Sequence, residues 1–282
     1  RITPPYWQTV WFRALSFLAL LALASLLYLR RLRIIGMKAE LRAAHDAQMS
    51  IMPGGDPQLP GLDISGTCIP ANEVGGDFFD FFWIERQRGI YGVLIGDVSG
   101  KAMKAAMTAV MANGMIVSEA LRADGPRAVL SHVNTPLFGK TNNQMFVAAC
   151  LAAIDTRSLK FDLSNAGLTS PQLKSGSRVE AVDLPGPRFP LGMIARVDYE
   201  QRTLSLRDGD LLVFVTDGVT EAHNSEREYY GEERLKTMLA ALDTVRMTAR
   251  AIRDAIVIDV GRFSGKQVQV DDMTVVVVKV LQ

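Results

Sequence analysis

Five aspartates stand at the edges of unusually apolar runs. Asp97 closes Gly92-Val93-Leu94-Ile95-Gly96 and is followed by Val98-Ser99-Gly100. Asp217 closes Leu211-Leu212-Val213-Phe214-Val215-Thr216 and is followed by Gly218. Asp271 and Asp272 come just before Met273-Thr274-Val275-Val276-Val277-Val278, and Asp77 follows Gly75-Gly76. A carboxylate just beyond a buried strand lies at a rigid sheet edge, and several such edges can converge several acids on one point. Uncompensated acids there are costly to desolvate. Hard divalent cations such as Mg²⁺ and Mn²⁺ remove that cost, because they prefer oxygen ligands. The neighbouring glycines let backbone and metal-bound water approach closely. Any one of these acids also reads as an ordinary turn residue, Asp217-Gly218 being a common turn pair. Several at the ends of such apolar strands point to a metal centre.

Competing chemistries fit less well. A thiol-based phosphatase needs an Arg six positions after its Cys, but Val74 follows Cys68 at that spacing and Thr156 follows Cys150. Both cysteines read as core residues. Gly96–Ala102 looks like a nucleotide phosphate loop, yet only three residues separate Gly96 from Gly100, and Ala102 replaces the metal-binding hydroxyl. Gly139-Lys140-Thr141 has Asn134 where the leading glycine belongs. His223, six residues after Asp217, reads either as a general acid for a leaving oxygen or as an exposed loop histidine. Lys101 reads either as a phosphate attractor or as part of a helix start. With 31 Lys+Arg against 30 Asp+Glu, the net charge of +1 disfavours a nucleic-acid groove.

The elements that must position the acids form a mixed pattern. Strand-like runs are Gly61–Cys68, Phe78–Ile84, Ile90–Asp97, Phe146–Ile154, Leu159–Ser164, Gln172–Leu173 with Val179–Val182, Thr203–Leu206, Leu211–Thr216 and Thr274–Leu281. Helix-like runs are Ala102–Ala123, Pro126–Gly139, Gly231–Leu242 and Thr248–Phe263. Strands cluster and helices come in adjacent pairs, without strict β-α-β alternation. The expected class is therefore α+β, with antiparallel sheets carrying helix pairs on their outer faces. At 282 residues and 48% hydrophobic, the chain can bury such a core without disulfides.

The N-terminal part is different. Ala14 to Leu29 carries no charge, and counting back to Val10 past a snorkelling Arg13 reaches the length of a membrane span. Trp7, Trp11 and Tyr28 suit its interfaces, and Arg30-Arg31-Leu32-Arg33 follows it. The expected organisation is the end of an extracytoplasmic region at 1–9, a transmembrane helix at 10–29, a juxtamembrane linker helix at 30–55 and a catalytic domain at 56–282. The positive flank places that domain in the cytoplasm, on a single-pass protein of the cytoplasmic membrane. Ile34, Met37, Leu41, Ala44, Gln48 and Ile51 fall on a heptad seam, so a homodimer through the linker is expected. The same spacing also suits a plain amphipathic helix. Pro53-Gly54-Gly55-Asp56-Pro57 ends it.

Four ordered strings carry a family resemblance: PANEVGGDFFDFF (70–82), IGDVSGKAMKAAM (95–107), FVTDGVTEA (214–222) and VDDMTVVVV (270–278). Together with SNAGLTSPQL (164–173) and PLGM (190–193), they resemble the SpoIIE-type branch of the PPM, or type 2C-like, metal-dependent serine/threonine protein phosphatases. The resemblance covers roughly residues 50 to 282. It implies an α-β-β-α sandwich and two divalent cations, Mn²⁺ or Mg²⁺. Asp97 would bridge the two ions. The Val98 carbonyl would hold the first, and Asp77 would hold it directly or through water. Asp217 and Asp271 would hold the second, with Asp272 adjacent as a further candidate ligand. The implied reaction is hydrolysis of phosphoserine or phosphothreonine by metal-activated water, without a covalent phosphoenzyme. The implied substrate is a phosphorylated signalling protein of the anti-sigma-factor-antagonist type, under control of an upstream sensor. The alternative is a non-catalytic relay that binds such a phosphoprotein. Leu168 departs from the family, which often has His after Asn-Ala-Gly.

Overall fold

In the computed structural model, the residues described are 5, 7, 9–100, 102–141 and 145–281, so Lys101 lies outside them. The chain forms two compact units, Arg1–Ala43 and Ala44–Gln282.

The first unit consists of most of helix α1 (Val10–Met49). Its stretch Val10–Met37 is long and apolar enough to cross a membrane, with a mean hydropathy of 2.0 and none of that window buried. The helix stops at Met49, slightly before the expected end. Ser50, Ile51 and Met52 close turns onto Asp46, Gln48 and Met49 instead. Pro53 explains the stop, because its ring disfavours helical geometry in the residue before it.

The second unit holds two antiparallel sheets. One has the order β1 (Gln58–Leu59), β2 (Leu62–Ile69), β11 (Met273–Val280), β10 (Leu211–Val215), β7 (Gln172–Ser175), β8 (Arg178–Ala181). The other has the order β3 (Phe78–Glu85), β4 (Ile90–Val98), β5 (Val147–Asp155), β6 (Lys160–Ala166), β9 (Arg202–Ser205). Helices α2 (Ala102–Ala120) and α3 (Pro126–Thr141) pack on the second sheet, and α5 (Gly231–Ala241) and α6 (Ala249–Ser264) on the first.

Alternation along the central strands explains the layering. Leu212 and Phe214 of β10, with Val276, Val278 and Val280 of β11, join a core shared with β3 to β6. Leu211, Val213 and Val215, with Met273, Val275 and Val277, face the other way onto Leu235, Ile252 and Ile256. Successive side chains of a strand point to opposite faces, so a sheet covered on both sides needs an unbroken apolar run. β10 and β11 are buried along their whole length. The short helix α4 (Asp217–Thr220) has no counterpart in the sequence pattern, which reads Asp217-Gly218 as a turn.

Candidate metal centre

The acids lie where these strands run out. Asp97 is the penultimate residue of β4, and its strand position pairs with Ala148. Asp217 opens α4 one residue beyond Thr216, and Asp271 and Asp272 immediately precede β11. Asp77 immediately precedes β3.

Asp77 is 1% exposed and ties the two sheets together. The hydroxyls of Thr216 and Thr274 both donate to its Oδ2, each at 2.7 Å. Thr216 Oγ1 in turn accepts the Thr274 N–H at 3.0 Å. The sequence reading passed over these threonines. Their signal was the one hydroxyl at the end of each otherwise aliphatic run.

Asp272 works on backbone. Its Oδ1 accepts the Ala71 N–H at 2.8 Å, and its Oδ2 accepts those of Gly76 at 2.6 Å and Asp77 at 3.4 Å. This packing requires glycine at three nearby positions, the first being Gly75, where a Cβ would collide with the Asp272 carboxylate. A Cβ on Gly76 would meet the Val98 carbonyl oxygen at 2.6 Å, and one on Gly218 would collide with the Asp272 carbonyl. The Val98 carbonyl therefore faces the Gly75-Gly76 turn, and Asp97 Oδ1 lies 3.4 Å from the same hypothetical Cβ. Ser99 fixes the turn after Asp97: its N–H donates to the Phe146 carbonyl, and its Oγ accepts the Phe146 N–H at 2.8 Å.

The electrostatics are those of stacked negative charge. Burial, and then the charges of Asp217 and Asp271, push Asp97 up to about 7, while a hydrogen bond with Asp77 pulls the other way. Burial, followed by the Asp97 charge, holds Asp77 well above the usual carboxylate range. Asp217 is raised by burial, then by Asp271 and Glu221. Among the described residues, no lysine or arginine pairs with any of these four acids. Carboxylates gathered without a counter-charge form a donor set suited to hard divalent cations, and three of them, Asp77, Asp97 and Asp217, are raised. Among the described residues, no trio of acids is already closed around a single point.

The other candidates fall elsewhere. Cys150 lies in the core, and burial pushes its thiol up to about 12. Cys68 is raised further by burial and then by Asp77, so neither thiol supplies a thiolate at neutral pH. Leu168 is 3% exposed. Asn165 holds its backbone by donating to the Leu168 carbonyl and accepting its N–H, which places the leucine in the core. His223 sits in the loop after α4, bridged to Tyr229.

Known proteins resemble this chain in sequence and fold. Phosphoserine phosphatase RsbU of Bacillus subtilis is 27% identical over 185 residues, 66% of this chain and 54% of RsbU. The chain thus spans about half the length of that relative. The SiaA-PP2C domain of Pseudomonas aeruginosa superposes with a TM-score of 0.74 at 22% identity, over 86% of this chain and 97% of that domain. A structure of RsbX in complex with magnesium superposes with a TM-score of 0.60 at 14% identity, over 80% of this chain and 98% of RsbX. These likenesses establish a PP2C-like fold. The family model described as stage II sporulation protein E matches residues 87–281, well over half of the chain, and the protein belongs to the SpoIIE family.

Proposed function

We propose that this protein is a metal-dependent phosphatase that removes phosphate from serine or threonine of a signalling protein. The observation that carries the reading is the gathering of Asp77, Asp97, Asp217 and Asp271 at the strand ends, with no cationic partner among the described residues. RsbU, named a phosphoserine phosphatase, supports the reaction class, and RsbX in complex with magnesium supports the cofactor.

In this reading Asp97, Asp77, the Val98 carbonyl, Asp217 and Asp271 would hold the divalent cations. Bound divalent cations supply a hydrolytic water at neutral pH and neutralise phosphoryl oxygens. The chain's own part is positional. Thr216 and Thr274 hold Asp77 in one rotamer. Asp272 is a positioning residue that pins the Gly75-Gly76-Asp77 turn against Val98, with its oxygens on backbone N–H groups. Hydrogen-bonded supports of this kind tune metal ligands.

We further propose a single-pass anchor through residues 10–29 in the cytoplasmic membrane and a cytoplasmic phosphatase domain. The linker of residues 30–55 would dimerise, and the substrate would be of the anti-sigma-factor-antagonist type.

The test uses the full chain in detergent with a phosphoserine peptide and measures phosphate release. Release that needs Mn²⁺ or Mg²⁺, disappears with EDTA and disappears in Asp97→Asn is expected. Peptide binding without release at saturating metal would replace the enzyme with a phosphoprotein-binding relay.

A further inference from the structure

A cavity of about 530 Å³ opens beside the acid cluster, and Gly218 and Asp271 belong to its wall. More of the lining comes from the loop after α4, which folds back on itself. Asn224 Oδ1 accepts the N–H groups of Glu226 and Glu228, and His223 bridges Tyr229. This fold-back places Arg227 and Tyr229 on the cavity. The connection from α6 to β11 adds Val268 and Val270.

Two features of this lining are unusual for a surface that meets only water. Tyr229, Val268 and Val270 are 67%, 82% and 64% exposed, an apolar set grouped around one opening. Arg227 makes no ion pair among the described residues, although Glu221 and Asp271 line the same cavity. The volume falls in the range of pockets that hold several side chains' worth of ligand, and it far exceeds what one phosphate group fills.

We propose that this cavity docks the polypeptide next to the phosphorylated residue of the substrate protein, seating an apolar side chain against Tyr229, Val268 and Val270 and a carboxylate on Arg227. The inference rests on the phosphatase reading above and names its substrate preference. Continuity decides the occupant: a chain whose phosphate reaches Asp97 and Asp271 can leave the centre through the cavity that Asp271 and Arg227 both line. Charge decides its sign, because Arg227 is the unpaired cation of the lining. A nucleic acid would need several such cations.

The experiment compares phosphoserine peptides that carry one leucine beside the phosphoserine and either Glu or Lys at each flanking position in turn. The full chain in detergent should favour the Glu peptide at one position by about tenfold in kcat/KM. Arg227→Glu should invert that ratio and Arg227→Lys should keep it, while Val270→Asp should raise KM for both peptides. A ratio near one in the parent protein, or a ratio unchanged in Arg227→Glu, overturns the proposal. If neither peptide is hydrolysed, the phosphatase reading has failed, and fluorescence anisotropy with the same labelled peptides decides docking separately. An Arg227-dependent preference for Glu in binding sustains it, and binding indifferent to Arg227 overturns it.

Discussion

Gln48 and Gly75 grip each other through a complete amide pair. Gln48 Nε2 donates to the Gly75 carbonyl at 2.9 Å, and Gln48 Oε1 accepts the Gly75 N–H at 3.3 Å. The same Nε2 reaches the Asp77 carbonyl at 3.2 Å, and Gln48 is 1% exposed. The heptad spacing places Gln48 on the seam of the linker. Its side chain instead holds the turn that presents Asp77.

Gln48→Ala leaves the Gly75 and Asp77 carbonyls without a buried partner, at a cost of about 1–3 kcal/mol. Because that turn sets Asp77 and the position of Val98, the loss should fall on metal binding. A titration of activity with Mn²⁺ should show the half-saturating concentration rising about tenfold, with turnover at saturation largely kept. An unchanged titration curve would separate Gln48 from the metal centre.

The linker prediction follows from the same contact. Insertion of one, two, three and four residues after Arg42 turns everything downstream by about 100° per residue. If the linker dimerises and passes its phase to Gln48, activity should oscillate with insertion length. A flat series, together with a monomer in sedimentation, would reduce the segment to a tether.

The stacked acids make a prediction about pH. Asp97 and Asp77 titrate higher in the folded protein than in the unfolded chain, whose carboxylates lie near the ordinary value of 3.8. The metal-free fold therefore binds more protons than the unfolded chain between about pH 4 and about pH 7, and its stability falls as pH rises through that window. Cations need the deprotonated acids, so they restore more at the alkaline end. The rise in Tm on adding Mn²⁺ should be several degrees larger at about pH 8 than at about pH 5. Equal rises at both pH values would contradict the charge stacking.

Asp97→Asn should separate stability from function. It removes a charge that the metal-free fold tolerates poorly, so the EDTA-treated variant should melt higher than the parent at about pH 8. It should also lose Mn²⁺-dependent phosphate release. Asp272→Asn should do the reverse for stability and melt lower, because an amide has one acceptor oxygen where Ala71, Gly76 and Asp77 need two. A higher melting temperature for Asp272→Asn would remove its positioning role.

Cys68→Ser and Cys150→Ser should each retain most activity, with Cys150→Ser losing some stability because that side chain is fully buried. Isolation of a phosphorylated enzyme intermediate from either parent or variant would contradict direct attack by water.

Much of this molecule was legible from residue order. The strongly apolar runs at 211–215 and 273–278 announced buried strands, and the paired helical patterns announced layers outside two sheets, because periodicity of side-chain direction is a local property. The acids at the ends of those runs stood out as a candidate centre for the same reason. Local pattern does not carry the pairing of β2 with β11 across two hundred residues, or the placing of Asp77 between Thr216 and Thr274. It also does not carry the use of Gln48 as a support for Gly75, since one glutamine suits a helix seam and a backbone clamp equally well. Asp271 and Asp272 are adjacent and chemically identical, yet one is exposed beside the cavity and the other is buried on three backbone N–H groups. The resemblance gave them different roles, but only the tertiary structure gave the physical reason: successive residues at a strand's start face opposite ways, and what each meets depends on chain segments far away in sequence.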